Sequence, residues 1–269
     1  MGRERQDAVV DQGDWAGLVR GRHDDFEALS VKAVVGSGGA SFASPFEVIA
    51  SDNHRYFVEA LSGCPSHARA TLAIEYVVSE VGRLIHAPVC DTSLIRIPED
   101  LAGWPMAHGK LQPGIAHASV ALGHAIECRP HLSDRLSDDN PRRHAGVYAL
   151  YDWCFGDDPQ WLHDLNDDRS CYSHDHGLYL PPNDGTIRSR YLADAVNEPN
   201  PLADPPDGLD PEAVERVATA LGAISRDALV TVVRGVPASW PVADNDLETL
   251  GWFLEHRAPA VAARIRTLI

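Results

Sequence analysis

The chain has no closely spaced pair of cysteines. Its five, Cys64, Cys90, Cys128, Cys154 and Cys171, are odd in number and scattered, with no CxxC step. That argues against a disulfide framework or a zinc knuckle and makes a reducing cytoplasm the expected home. No run approaches the ~18 apolar residues of a membrane span, and MGRERQDAVVDQGDW at the start lacks the apolar stretch of ~7–15 residues that marks a secretory leader. A soluble intracellular protein, without membrane contact, is expected. Basic residues are scarce as well: 23 Lys and Arg stand against 39 Asp and Glu, a formal charge of −16. A surface of that sign repels phosphate backbones, so nucleic acid is not an expected partner. No internal repeat is present, and 269 residues suffice for one large domain or two packed lobes.

What is there begins with strands. VKAVVG (31–36), FEVIA (46–50) and RYFVEA (55–60) are rich in β-branched and aromatic residues and are separated by GSGGASFASP (36–45) and SDNH (51–54), the pattern of a small antiparallel meander. Residues 69–86 then place Leu72, Tyr76, Val77, Val81, Leu84 and Ile85 at helical spacing, with Glu75 beside the apolar stripe. A further strand is expected at TSLIRIP (92–98). From Gly103 to about Arg143 periodicity is weak, though GIAHASV (114–120) suits a strand.

PRRHAGVYALYDWCFG (141–156) predicts a buried helix, with Pro141 tolerated in the first turn. A short strand pair is expected near Trp161–Leu162 and Cys171–Tyr172. Beyond a connector rich in Pro and Asp, helices are predicted over 211–224, 225–233 and 244–269. Strands first and helices later make an α+β chain. The expected division is a β-meander unit with one helix over 1–100 and a mainly helical unit over 101–269.

Glu59 is out of place in this pattern. It follows Tyr56, Phe57 and Val58 on an apolar strand, and alternation puts Phe57 on its side of the sheet. It is either a strand-edge residue, exposed or paired with Arg55 or Arg69, or an acid facing a cleft. In the second case burial and a neighbouring carboxylate, Glu75, raise its pKa and suit it to giving and taking a proton near neutrality.

The order of a Gly/Ser loop, a third strand, a helix with an inward glutamate, LYDWCFGDDPQWL (150–162) and YSHDHGLYLPP (172–182) resembles the HipA-like branch of the protein-kinase-like fold over roughly residues 30–260. The resemblance implies a bilobal fold with a small antiparallel β N-lobe and a mainly helical C-lobe. It implies Asp158 as the catalytic-loop acid, Gln160 as the metal-binding amide and Asp175 as the metal- and phosphate-bridging acid, with ATP and Mg²⁺ as cofactors. Gln160 stands where that family carries Asn. The larger departure is Glu59, where the family carries the lysine that grips phosphates beside a helix glutamate such as Glu75. A carboxylate there meets polyphosphate with like charge, about 4 kcal/mol at ~4 Å and an effective dielectric near 20.

An acid in that place resembles the β-carboline-forming Pictet–Spenglerases of bacterial secondary metabolism. That resemblance implies condensation of tryptophan or a derivative with an aldehyde, with no metal and no cofactor. It implies Glu59 as general acid and base, Glu75 in reserve, Phe57 stacked on the indole, and Lys32 or Arg55 paired with the amino acid carboxylate; a homodimer is the habit of such enzymes. The alternatives are an ATP- and Mg²⁺-dependent kinase of HipA type, acting on protein or small molecule, and a silent pseudokinase that binds a partner.

Overall fold

The structure is a computed structural model that describes residues 13–38 and 42–269. Five strands close into a barrel: β1 (Leu29–Ser37), β2 (Phe46–Ala50), β3 (Arg55–Glu59), β4 (Thr92–Ile97) and β5 (Gly114–Val120), in the order β1-β2-β3-β5-β4. β1, β2 and β3 pair antiparallel in succession, as a meander does. The barrel closes differently from the antiparallel expectation, because β1 and β4 run parallel, with Leu29 opposite Ile95 and Ser30 opposite Arg96. The expected boundary at residue 100 falls inside this barrel, since β5 returns to sit between β3 and β4.

Period-two burial fills the barrel interior. Val48, Ala50, Tyr56, Val58, Ile95, Ile97, Ala116 and Ala118 form its core, while Phe57 and Glu59 point to the other face. Against that other face lies helix α1 (Thr71–Leu84), its stripe of Leu72, Ala73, Ile74, Val77, Val78 and Val81 wholly buried in a second, larger core. The chain then adds a three-stranded antiparallel sheet, β6 (Ala125–Cys128), β7 (Trp161–Asp164) and β8 (Ser170–Ser173). The β7–β8 hairpin matches the expected strand pair; β6 came from the stretch of weak periodicity.

Helix α2 (Asn140–Trp153) fills the middle of the larger core, and α3 (Ser189–Ala195), α4 (Pro211–Gly222), α5 (Arg226–Arg234) and α6 (Asp244–Arg266) complete it. Asp210 caps α4 by accepting from the Ala213 amide at 2.8 Å, with Pro211 in the first turn, and Ser225 caps α5 in the same way. Arg257 of α6, 1% exposed, ties three elements together: it donates to the carbonyls of Asp152, Trp153, Ala195 and Glu198 and to the Asp152 carboxylate. Arg264 completes the pairing of Asp152 from the other side. Among the described residues no helix is long and apolar enough to cross a membrane.

Candidate active site

A cavity of about 500 Å³ opens where the barrel meets the β6-β7-β8 sheet. Its wall on the barrel side is the outer face of β3 and β5, carrying Phe57, Glu59, His117 and Ser119. Glu59 and His117 are directly opposite in the antiparallel ladder, so both side chains project to the same face. α1 contributes Glu75 and Ser79, and the turn after β8 contributes His174, Asp175 and His176. Gly38 and Pro45 line the rim; residues 39–41 of the Gly/Ser loop lie outside the described residues.

The close approach of α1 to the β8 turn has a local cause. A Cβ on Gly177 would stand 2.6 Å from Thr71 Cγ2, so only glycine lets the helix start come that near. The packing sets Glu75, 6% exposed, beside His176, with Oε1 3.3 Å from Nδ1. On its other side the His176 Nε2 lies 2.9 Å from Ser173 Oγ.

These surroundings push the two glutamates apart. Burial raises the pKa of Glu59 well above its ordinary value, and the nearby charges of Glu75 and Asp175 raise it further. Burial opposes ionisation of Glu75 too, but the adjacent His176 imidazole outweighs burial and holds its pKa below the ordinary value. Asp175 is pushed up to about 6, first by burial and then by Glu75. Burial lowers His117 and His174 to about 4, leaving neutral imidazoles at pH 7. Two carboxyls whose environments separate their protonation states are an acid–base pair in the chemical sense. Cys90 also lines the cavity, but burial pushes its thiol up to about 12 and removes it as a nucleophile.

Glu59 is neither exposed at a strand edge nor ion-paired. Its Oε2 is buried without a hydrogen-bond partner among the described residues, and Arg55 pairs with Glu47 instead. Phe57, 39% exposed, presents its ring on the same face. Lys32 is a correction: it stands exposed on β1, donates to Asn53 Oδ1 at 2.9 Å and does not line the cavity.

Asp158 and Gln160 are not among the residues that line the cavity; they are joined by a 2.7 Å hydrogen bond from Gln160 Nε2 to Asp158 Oδ2. The guanidinium of Arg129, a residue of the weakly periodic stretch, reaches into the cavity and bonds Gln160 and Glu127, with Asp158 at 3.5 Å. Of the two donors expected to hold Mg²⁺, Gln160 is engaged by a cation and Asp175 has no ion pair with it. Among the described residues no three His, Cys, Asp or Glu side chains are arranged to hold a metal ion. Polyphosphate meets no uncommitted Lys or Arg among the described side chains lining the cavity.

No protein-family model matches the chain, and no curated protein matches it in sequence. Among solved structures it is similar to the proinflammatory kinase CtkA of Helicobacter pylori, with a TM-score of 0.59 and 12% identity over 90% of this chain and 97% of that one. The fold is kinase-like. A match to the Golgi casein kinase has a TM-score of 0.46 and 10% identity, covering 92% of this chain and 73% of that one. In this fold Glu59 on β3, Glu75 on α1 and Asp175 in the β8 turn line one cavity.

Proposed function

We propose that the cleft transfers protons, and that the chain is a condensing enzyme of Pictet–Spengler type built on a kinase-like, HipA-related scaffold. The observation that carries this reading is Glu59, whose Oε2 is buried without a hydrogen-bond partner among the described residues and whose pKa is raised, in the cavity beside Glu75. An amine adds to an aldehyde to give a carbinolamine; protonated Glu59 gives its proton to the departing hydroxyl, and water and an iminium result. The indole C2 then forms a bond to the iminium carbon. The Glu59 carboxylate takes the proton from that ring carbon, which restores aromaticity and regenerates the acid. Phe57 offers the indole a ring to pack on.

The experiment is incubation of the full chain with tryptophan or a derivative and a panel of aldehydes, read by mass for a tetrahydro-β-carboline. Product well above the uncatalysed background supports the reading; its absence across the panel overturns it.

A second reading is an ATP- and Mg²⁺-dependent kinase of HipA type. The kinase-like fold and the Asp175-His176-Gly177 turn favour it. It requires Arg129 to leave Asp158 and Gln160 and a metal to offset Glu59. A melting scan with Mg-ATP separates the two, because ligand at 100 times its Kd stabilises by about 2.7 kcal/mol. A clear shift supports the kinase; none supports the acid–base reading.

A further inference from the structure

We propose that the cavity selects a cationic arylalkylamine that carries no carboxylate, holding its ammonium or iminium group between the free oxygens of Glu75 and Glu59. The inference rests on the acid–base reading above and narrows its substrate from amino acid to amine.

Charge is the first argument. Among the described residues Glu47, Glu75, Glu127 and Asp175 line the cavity beside Glu59, which leans to the protonated form, against two guanidiniums, Arg55 and Arg129. Both are committed: Arg55 to Glu47, and Arg129 to Glu127 and Gln160 with Asp158 alongside. Lys32 points elsewhere. A substrate carboxylate therefore enters a negative cavity and finds only cations that already have partners, which costs it more than it costs an amine.

Unmet hydrogen bonding is the second argument, and it is independent of the first. Glu75 is 6% exposed and its Oε2 has no partner; Glu59 Oε2 is buried without one; and His117, 2% exposed, leaves Nε2 unpartnered on the same wall. Buried polar atoms in this state are what a bound ligand satisfies. An ammonium offers three N–H donors and no acceptor, which complements two carboxyl oxygens and a neutral imidazole nitrogen. His176, held by Ser173 at 2.9 Å, stands 3.3 Å from Glu75 Oε1, so the carboxylate has a packed neighbour on that side before the ligand arrives. About 500 Å³ accommodates an indole with a two-carbon amine arm and an aldehyde carbon beside it.

The test is isothermal titration of the full chain, without aldehyde, with tryptamine, tryptophan and indole-3-propionate. Tryptamine is expected to bind at least about 10-fold more tightly than tryptophan, and indole-3-propionate more weakly than both. Glu75→Gln is expected to weaken tryptamine at least about 10-fold while the melting profile by circular dichroism stays cooperative. Should that variant not fold, the wild type decides: raising salt from about 50 to 500 mM must weaken tryptamine binding, the sign of a charged contact. Tryptophan binding as tightly as tryptamine, no tryptamine binding, or binding insensitive both to Glu75→Gln and to salt overturns the proposal. Amine-selective binding without any condensation product overturns the proposed function and leaves this inference standing. Product formed from tryptophan bound as tightly as tryptamine does the reverse.

Discussion

Glu59 on β3 and Glu75 on α1 face one cavity, and their surroundings move their pKa values in opposite directions. Here an acid faces an acid, and burial with the charges of Glu75 and Asp175 favours the protonated form of Glu59.

Removing the titrating group should separate stability from function. Glu59→Gln keeps the shape, so condensation is expected to fall about 10²–10⁴-fold. A raised carboxyl pKa means that the folded state binds the proton more firmly than the unfolded one, so its contribution shrinks as pH rises through and beyond the unfolded value. At pH 8 the glutamine variant should therefore melt higher than wild type, by roughly 2–4 °C for each kcal/mol gained at this chain size. Progress curves and melting scans on the same preparations check both signs.

Glu59→Lys restores the charge pattern of a kinase. The ammonium would meet Glu75 across the cleft, and a melting shift with Mg-ATP is expected in this variant alone. No shift in the variant would mean that the rest of the phosphate side, including the Arg129 contacts, has changed as well.

His144 on α2 sets an acid limit that has nothing to do with the cavity. It is fully buried, neither ring nitrogen has a partner among the described residues, and burial lowers its pKa to about 3. The unfolded chain takes up a proton near pH 6.5 that the folded chain refuses, so stability is lost as pH falls from about 6.5 towards 3. Between pH 7 and pH 5 this single group amounts to about 2 kcal/mol. Relative to wild type, His144→Phe should gain that much over the same interval, as measured by urea unfolding at the two pH values.

Arg257 holds α2, α3 and α6 together from a buried position. Replacing it with methionine leaves the carbonyls of Asp152, Trp153, Ala195, Val196 and Glu198 short of a donor and the Asp152 carboxylate short of one partner. A loss of about 3–5 kcal/mol is expected in urea unfolding.

The strands and the major helices were legible because their signals are local. Alternation at residues 46–50 and 55–59 and the apolar stripe of α1 need no distant partner to be seen. Glu59 stood out for the same reason, as one acid among apolar strand residues. Its opposite number did not. His117 lies 58 residues away and becomes a neighbour only because β5 returns between β3 and β4, a pairing that no periodicity encodes. Arg129 was hidden in a stretch of Gly, His, Pro and Asp, and its role depends on Gln160 and Glu127 arriving from different strands or turns. Lys32 misled because a charge near a loop says nothing of which side of a barrel it occupies; β1 carries it away from the cavity. The short helix α3 has seven residues, too few for a stripe to form.

The most direct test is the ionisation of Glu59 itself, followed by carbon-13 NMR of side-chain carboxyls with Glu59→Gln as the assignment control. The structure predicts that this carboxyl titrates well above the ordinary glutamate range and that its titration is the one missing from the variant. A Glu59 that is already ionised at pH 5 would contradict the account, because a cleft with an ordinary carboxylate at that place has no proton to give.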